Sequence, residues 1–324
     1  LVLPSTTGDN RQKIMDAINN LYAGGSTAGG AGIHLAYQTA KEHFIKGGNN
    51  RIILATDGDF NVGASSDAEL VRMIEKERES GVFLTVLGFG MGNYKDNKMQ
   101  QLANKGNGNH AYIDDIQEAK KVLVEEFGGT LFTIAKDVKF QIEFNPTKVQ
   151  GYRLIGYENR LLNNEDFNDD KKDAGELGAG HTVTAMYEII PTGITTDWLT
   201  KVDDLKYQKT SRPNATASNS DELITVKLRY KQPAGERSRK VEQAVLDRAV
   251  SLADASDNFR FAAAVAEFGM LLRDSEFKQK ATYAHAERLA QSGLGKDPNG
   301  YRKELVEMIN TMRSLAEPDV AKKD

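Results

Sequence analysis

The stretch Arg51-Ile52-Ile53-Leu54-Ala55-Thr56-Asp57-Gly58-Asp59-Phe60-Asn61 decides the fold of this chain. Its apolar run, Ile52 to Ala55, stops abruptly at Thr56-Asp57-Gly58-Asp59. Short continuous apolar runs bounded by turn residues read as buried strands, most often in a parallel sheet covered on both faces. A carboxylate at the carboxyl end of such a strand stands where open α/β sheets bind their ligands. Asp57 is therefore the first candidate functional residue. Taken alone, Thr56-Asp57-Gly58-Asp59 is also an ordinary strand-ending turn, because Asp and Gly are frequent turn residues.

Around this strand the pattern alternates. Upstream, Ile14, Ile18 and Leu21 recur at helical spacing over residues 9–23, with Asp9 as N-cap. Gly24-Gly25-Ser26-Thr27-Ala28-Gly29-Gly30 is too glycine-rich for helix or strand and reads as a loop. Ile33, Tyr37, Ala40 and Phe44 form the stripe of a second helix, ended by Gly47-Gly48. The opening Leu1-Val2-Leu3-Pro4 reads as the tail of a strand, with further sequence expected ahead of it.

Downstream, a helix over residues 67–80 carries Leu70, Val71 and Ile74. Residues 82–87 form a second buried strand, closed by Gly88-Phe89-Gly90-Met91-Gly92-Asn93. A short helix over 98–105 leads to a strand at 110–113, and Ile116, Ala119, Leu123 and Phe127 mark the next helix. Strands alternating with helices across residues 1–130 imply right-handed βαβ units in a doubly wound, mostly parallel α/β sheet.

Near Thr133 the period changes to two. Val138, Phe140, Ile142 and Phe144 alternate with Lys139, Gln141 and Glu143, and residues 152–157, 182–190 and 223–230 look similar. With no strong helices between them, these strands read as an antiparallel, sandwich-like domain, interrupted by polar loops at 163–176 and 211–221. From Val241 the spacing reads as helical: Val241, Val245 and Leu252; then Phe261, Val265, Phe268 and Leu272; then Tyr301, Leu305, Met308, Met312 and Leu315. The expected organisation is a first domain over 1–132, an antiparallel domain over 133–235 and a helical region over 236–324.

The chain has 324 residues, 40% of them hydrophobic and 27% charged, an ordinary globular composition with room for more than one core. A formal charge of −4 and a pI near 5.9 argue against a nucleic-acid surface, which would be strongly basic. No apolar stretch approaches the roughly 18–20 residues of a transmembrane helix. Cysteine is absent, which excludes disulfides and thiol catalysis.

Gly24-Gly25-Ser26-Thr27, followed some thirty residues on by Thr56-Asp57-Gly58, resembles the second and third metal-ligand motifs of von Willebrand factor type A domains. The runs 24–33, 53–63 and 84–94 look like those of bacterial, lipoprotein-type members, and 137–146 with 152–160 resemble the uncharacterised C-terminal domain that follows in them. The resemblance implies a type A fold that is N-terminally incomplete here. It also implies Mg2+ or Mn2+ on the carboxyl ends of the strands, with Thr27 and Asp57 as ligands. A hard cation of this kind keeps several waters and needs few protein oxygens. Gly25, Ser26, Gly58, Asp59 and Asn61 would support the loops and rim, Ser26 by bonding the loop backbone. The open position would take a carboxylate from an unidentified protein partner. The family's first motif, Asp-x-Ser-x-Ser, is missing. The nearest string, Asp254-Ala255-Ser256-Asp257-Asn258, reads as a helix boundary with an N-cap.

Other chemistries fit poorly. The glycine-rich loop lacks the Gly-Lys-Ser/Thr ending of a P-loop, and Gly88-x-Gly90-x-Gly92 misses the dinucleotide spacing. An EF-hand begun at Asp166 would put Lys171 where glycine is required and Leu177 where glutamate is required, so Asp166, Asn168, Asp170 and Asp173 read as a solvated acidic loop. No histidine pairs with a candidate serine nucleophile. The expectation is a metal-ion-dependent, protein-binding, non-enzymatic module of the bacterial cell envelope, periplasmic or lipid-anchored. The alternative is a metal-independent envelope scaffold on the same fold.

Overall fold

Three parallel strands, β1 (Asn50–Thr56), β2 (Val82–Phe89) and β3 (His110–Ile113), form the sheet that the Arg51–Asn61 stretch anticipates, in the order β1-β2-β3. They belong to a computed structural model that describes residues 1–22, 29–58, 67–92, 94–157, 160–172, 174–199, 220–233, 235–248 and 250–316. The chain divides into two units. One comprises Leu1–Lys139, Asn168–Thr182 and Arg229–Lys240, the other Phe140–Phe167, Val183–Leu228 and Val241–Asp324.

Helices α1 (Arg11–Asn19), α2 (Gly29–Glu42), α3 (Asp67–Glu77) and α4 (Asp96–Lys105) punctuate the first unit. Ile33 and Tyr37 of α2, Leu70 and Ile74 of α3, and Met99 and Leu102 of α4 close over Val82, Leu84 and Val86 of β2. Full burial of a side chain of this size contributes about 1.5–3 kcal/mol, so this cluster is the main cohesive term of the unit. On the opposite face Leu87 and Ile113 pack on Val122 with Ala111 and Ala119.

Several sequence expectations shift here. Coverage on both faces holds for β2 but not for β1, where Ile52 and Leu54 face the core while Ile53 is 46% exposed. β1 is one of the two outer strands among the described residues, and the second layer reaches only β2 and β3. Residues 1–4 are not in a strand. Asp9 does not cap α1; Asn10 holds that position, without a side-chain cap bond. Gly29 and Gly30 belong to the first turn of α2, not to a loop.

Of the stripe Ile116, Ala119, Leu123 and Phe127 only Ala119 packs on the core, because α5 (Ile116–Lys120) runs into a π-helical turn at Lys121–Glu125 before α6 (Phe127–Leu131). The wider turn, with Glu126 N donating to Lys121 O at 2.7 Å, shifts the buried face to Ala119 and Val122 and leaves Ile116 exposed.

The antiparallel strands are β4 (Thr133–Phe144), β5 (Val149–Ile155), β6 (Gly175–Gly178), β7 (Met186–Pro191), β8 (Glu222–Lys231) and β9 (Ser238–Leu246). They make one sheet ordered β6-β4-β8-β9 and a separate β5-β7 pair. The expected outward Lys139 and inward Phe140 are reversed: Lys139 is 4% exposed and Phe140 51%. The β4-β6 register shifts between Ala135 and Val138, and Asp137 adopts a φ of 52°, so a bulge re-aims the strand. The strand β9 replaces the helix expected from Val241. An i, i+4 pair such as Val241 and Val245 fits a period of two as well as one of 3.6, and pairing with β8 decides for strand.

The buried lysines draw partners from the acidic loop around Asp170. Lys231 Nζ donates to Asp137 Oδ2 at 2.7 Å and to Asp170 O at 2.6 Å, and Lys139 Nζ donates to Asp169 O at 2.5 Å. Arg229 donates to Asn168 Oδ1 at 2.9 Å and to Asp170 Oδ1 at 2.7 Å, and Ser238 Oγ donates to Asp170 Oδ1 at 2.5 Å. Cations of β4 and β8 thus pin this acidic loop at Asp169 and Asp170, while residues 163–165, 168, 169, 171 and 172 stay exposed as a solvated loop does. Asp173 lies outside the described residues. Burying a charge without partners is costly, so these lysines draw carbonyls and carboxylates onto themselves.

In the second unit, α7 (Asp257–Leu272), α8 (Tyr283–Ser292) and α9 (Tyr301–Ala316) enclose Ala264, Phe268, Ala286, Leu289, Ala290 and Ile309. The buried stripe of α9 centres on Ile309 with Leu305 and Met312, one step round from the expected Met308 and Leu315, which are exposed. Val265 and Leu272 of α7 likewise face outward.

The Ser238 hydroxyl, and after it the Arg229 guanidinium, hold the Asp170 carboxyl below its ordinary value. A carboxyl depressed in the folded state contributes stability above its unfolded pKa of about 3.9 and loses it as pH falls through the folded value. Denaturation midpoints followed from pH 6 down to pH 3 therefore fall more steeply for the natural chain than for Asp170→Asn. Superimposable acid limbs would show that the clamp adds nothing.

Candidate functional site

The carboxyl end of β1 sets the site. Thr56 pairs with Gly88 in parallel register, so Asp57 emerges beside the end of β2. Thr56 Oγ1 accepts a hydrogen bond from Gly58 N at 3.0 Å, which turns the chain immediately after Asp57. Gly58 is buried with a φ of 85°, and a Cβ there would lie 3.3 Å from Lys95 N at the start of α4. Only glycine adopts that angle without cost and lets α4 approach. Asp57 itself is exposed, on a turn fixed from both sides.

The glycines after β2 come next to it. Gly90, with a φ of 87°, would carry a Cβ 3.7 Å from Asp57 Cβ. Its carbonyl accepts from Tyr112 Oη at 2.6 Å. Gly88 lies against the Tyr94 phenol so closely that a Cβ would fall 2.0 Å from Tyr94 Oη. That hydroxyl is 2.6 Å from His110 Nε2, and the Tyr94 ring tilts against Tyr112 at 4.9 Å between centroids. Burial, with Asp96 and Tyr112 nearby, pushes the Tyr94 phenol up to about 12, so it stays protonated at physiological pH.

Of the residues that the sequence nominates, Asp57 and Gly58 stand together at this end of the sheet. Gly25, Ser26, Thr27, Asp59 and Asn61 lie outside the described residues. Among the described residues no group of three or more His, Cys, Asp or Glu has metal-holding geometry. An exposed carboxylate on a rigid turn, flanked by glycine backbone, fits the hard-oxygen ligand that Mg2+ or Mn2+ requires, and it supplies one such ligand. The string Asp254–Asn258 is spoken for: Ser256 caps α7 by accepting from Phe259 N at 3.2 Å, and Asp257 pairs with Arg260. Sequence reasoning missed Tyr94, His110 and Tyr112. Their side chains matter only through a register in which Gly88 meets Tyr112 and Val86 meets His110, and no motif carries that information.

This arrangement defines a class. Residues 2–125 match the von Willebrand factor type A domain. Residues 129–315 match the family described as uncharacterized protein YfbK, C-terminal, and the chain belongs to this family, with a type A domain ahead of the YfbK C-terminal domain. It is similar to the uncharacterized protein YfbK of Escherichia coli (strain K12), with 44% identity over 309 residues, which is 95% of this chain and 52% of that protein. The chain thus spans about half the length of that curated relative. Among solved structures it is similar to a von Willebrand factor type A protein from Catenulispora acidiphila, at 15% identity and a TM-score of 0.41 over 94% of this chain and 67% of that one. It is also similar to the human COPII-coat protein Sec24c, at 14% identity and a TM-score of 0.39 over 87% of this chain and 37% of that one. Type A domains commonly use a divalent cation and engage other proteins. Among the described residues no helix is long and apolar enough to cross a membrane.

Gly58→Ala is expected to lower stability by about 1–3 kcal/mol, the cost of holding a side chain at a left-handed position. Chemical denaturation measures it. An unchanged midpoint would mean that the turn after Asp57 is not fixed as described.

Proposed function

We propose that the chain is a metal-ion-dependent protein-binding module of the bacterial cell envelope. Asp57, with Thr27, holds Mg2+ or Mn2+ at the carboxyl end of β1, directly or through water, and the open position takes a carboxylate from a partner protein. The observation that carries this reading is the placement of Asp57: exposed, at the end of a parallel strand, on a turn fixed by Thr56 and Gly58 and flanked by Gly90. Membership of the type A family supports it. Gly25, Ser26, Gly58, Asp59 and Asn61 shape the loops around the ion, and the residues after 132 present the module. It acts by binding, not by turnover. Placement in the envelope, periplasmic or through a lipid anchor, rests on likeness to bacterial lipoprotein-type members.

Calorimetric titration of the natural full-length protein with Mn2+ is the test. Saturable binding is expected, and Asp57→Ala is expected to abolish it. If neither form binds Mn2+, the reading fails and the fold serves as a metal-independent scaffold.

A further inference from the structure

The sheet β6-β4-β8-β9 ends on two unlike edges. At one end β6 is four residues long, and a very short edge strand offers little to pair with. At the other β9 runs for nine residues, and among the described residues no strand pairs with its outer side. Asp247 N donates to Asp221 O at 2.8 Å, so the backbone of Asp247 faces the β8 side. Alternation along the strand turns the backbone of Ala244 and Leu246 outward. In keeping with this, the Ala244 carbonyl accepts from the Gln243 side-chain amide at 2.8 Å. Val241 and Val245 share one face of β9 and stay 52% and 41% exposed.

The residues on that face are arranged symmetrically about Gln243. Val241 and Val245 stand two positions to either side of it, and Arg239 and Asp247, of opposite charge, four positions. We propose that β9 is a homodimer edge, on which β9 of a second copy pairs antiparallel about a two-fold axis at Gln243. Val241 then lies opposite Val245 of the second copy, Arg239 opposite Asp247, and Gln243 opposite Gln243. Apolar and opposite-charge pairs of this kind are what stabilise an antiparallel ladder. On the other face Lys240 meets Leu246 and Glu242 meets Ala244, so no like charges stand opposite each other. An axis at Glu242 would set that carboxylate against itself, and one at Ala244 would set Lys240 against Arg248. Charges on an edge strand ordinarily turn a second copy away; here their signs admit one in a single register. Asp247 already pairs with Lys148 through Oδ2 at 3.3 Å, but its carboxylate is 45% exposed and can accept a second cation. The contact is isologous and closes as a dimer, with strands ordered β6-β4-β8-β9-β9-β8-β4-β6 across the two copies. It does not involve Asp57 or a bound cation.

Sedimentation velocity on the natural full-length protein at low ionic strength is the test. A reversible dimer is expected, and added salt is expected to weaken it. Arg239→Glu alone sets carboxylates opposite each other at both ends of the paired strands, and Asp247→Arg alone sets guanidinium groups opposite each other. Two cross-strand pairs turn from attraction to repulsion in each variant, which is expected to weaken dimerisation roughly tenfold. An equimolar mixture of the two variants is expected to recover dimerisation, because in the mixed dimer every charge again meets its opposite. In the natural protein, hydrogen exchange at the Ala244 and Leu246 amides is expected to slow as concentration rises through the transition. A protein that stays monomeric into the submillimolar range, a dimer that neither variant weakens, or weakened variants that do not recover on mixing would each overturn the proposal. Amides at Ala244 and Leu246 that exchange slowly at every concentration would show another segment of the same chain covering β9, and would overturn it too.

Discussion

The structure depends on the close approach of two backbones at the carboxyl end of the parallel sheet. Thr56 of β1 and Gly88 of β2 lie in register, and the chain leaves both strands through glycines at left-handed angles. A side chain at Gly58 would press on Lys95 at the start of α4, and one at Gly90 would be strained by its left-handed φ. Because those positions carry only backbone, Asp57 reaches the surface on a turn that cannot easily relax. The buried cluster below, from Ile33 to Leu102, holds the strands in the register that makes this possible.

A second constraint governs the residues beyond the parallel sheet. Lys139 and Lys231 are 4% and 7% exposed, and buried ammonium groups must be matched by oxygens. The match comes from Asp137 at a bulge and from the backbone of residues 169 and 170. This polar clamp pins to the sheet, at residues 169 and 170, an acidic loop that is otherwise exposed as its sequence suggests. It also accounts for the inverted alternation along β4, where the bulge turns Lys139 in and Phe140 out.

Much of the architecture was legible in the sequence. The strands read from the apolar runs Ile52–Ala55 and 82–87, the burial of Ile33 and Tyr37, and the helix boundary at Asp254–Asn258 are found in the structure, because each is a local pattern with one good physical solution. The family, too, followed from two short motifs at the right separation. What escaped depends on non-local pairing. Val241 and Val245 satisfy two periods at once, and only the neighbouring β8 selects strand. The π turn at Lys121–Glu125 rotates a helical face by an amount no stripe reveals. At the candidate site, Asp57 and Gly58 were legible as a strand-ending carboxylate and its turn. Tyr94 and Tyr112 were not, since their roles arise from register rather than from residue type.

The central claim is that a divalent cation sits on Asp57 at the carboxyl end of β1. Anomalous diffraction from crystals of the natural full-length protein grown with Mn2+ tests it most directly. The account predicts one strong manganese peak at this end of the sheet, roughly 2.0–2.2 Å from an Asp57 carboxylate oxygen or one bound water removed from it. A peak elsewhere on the molecule, or none at saturating Mn2+, would contradict it.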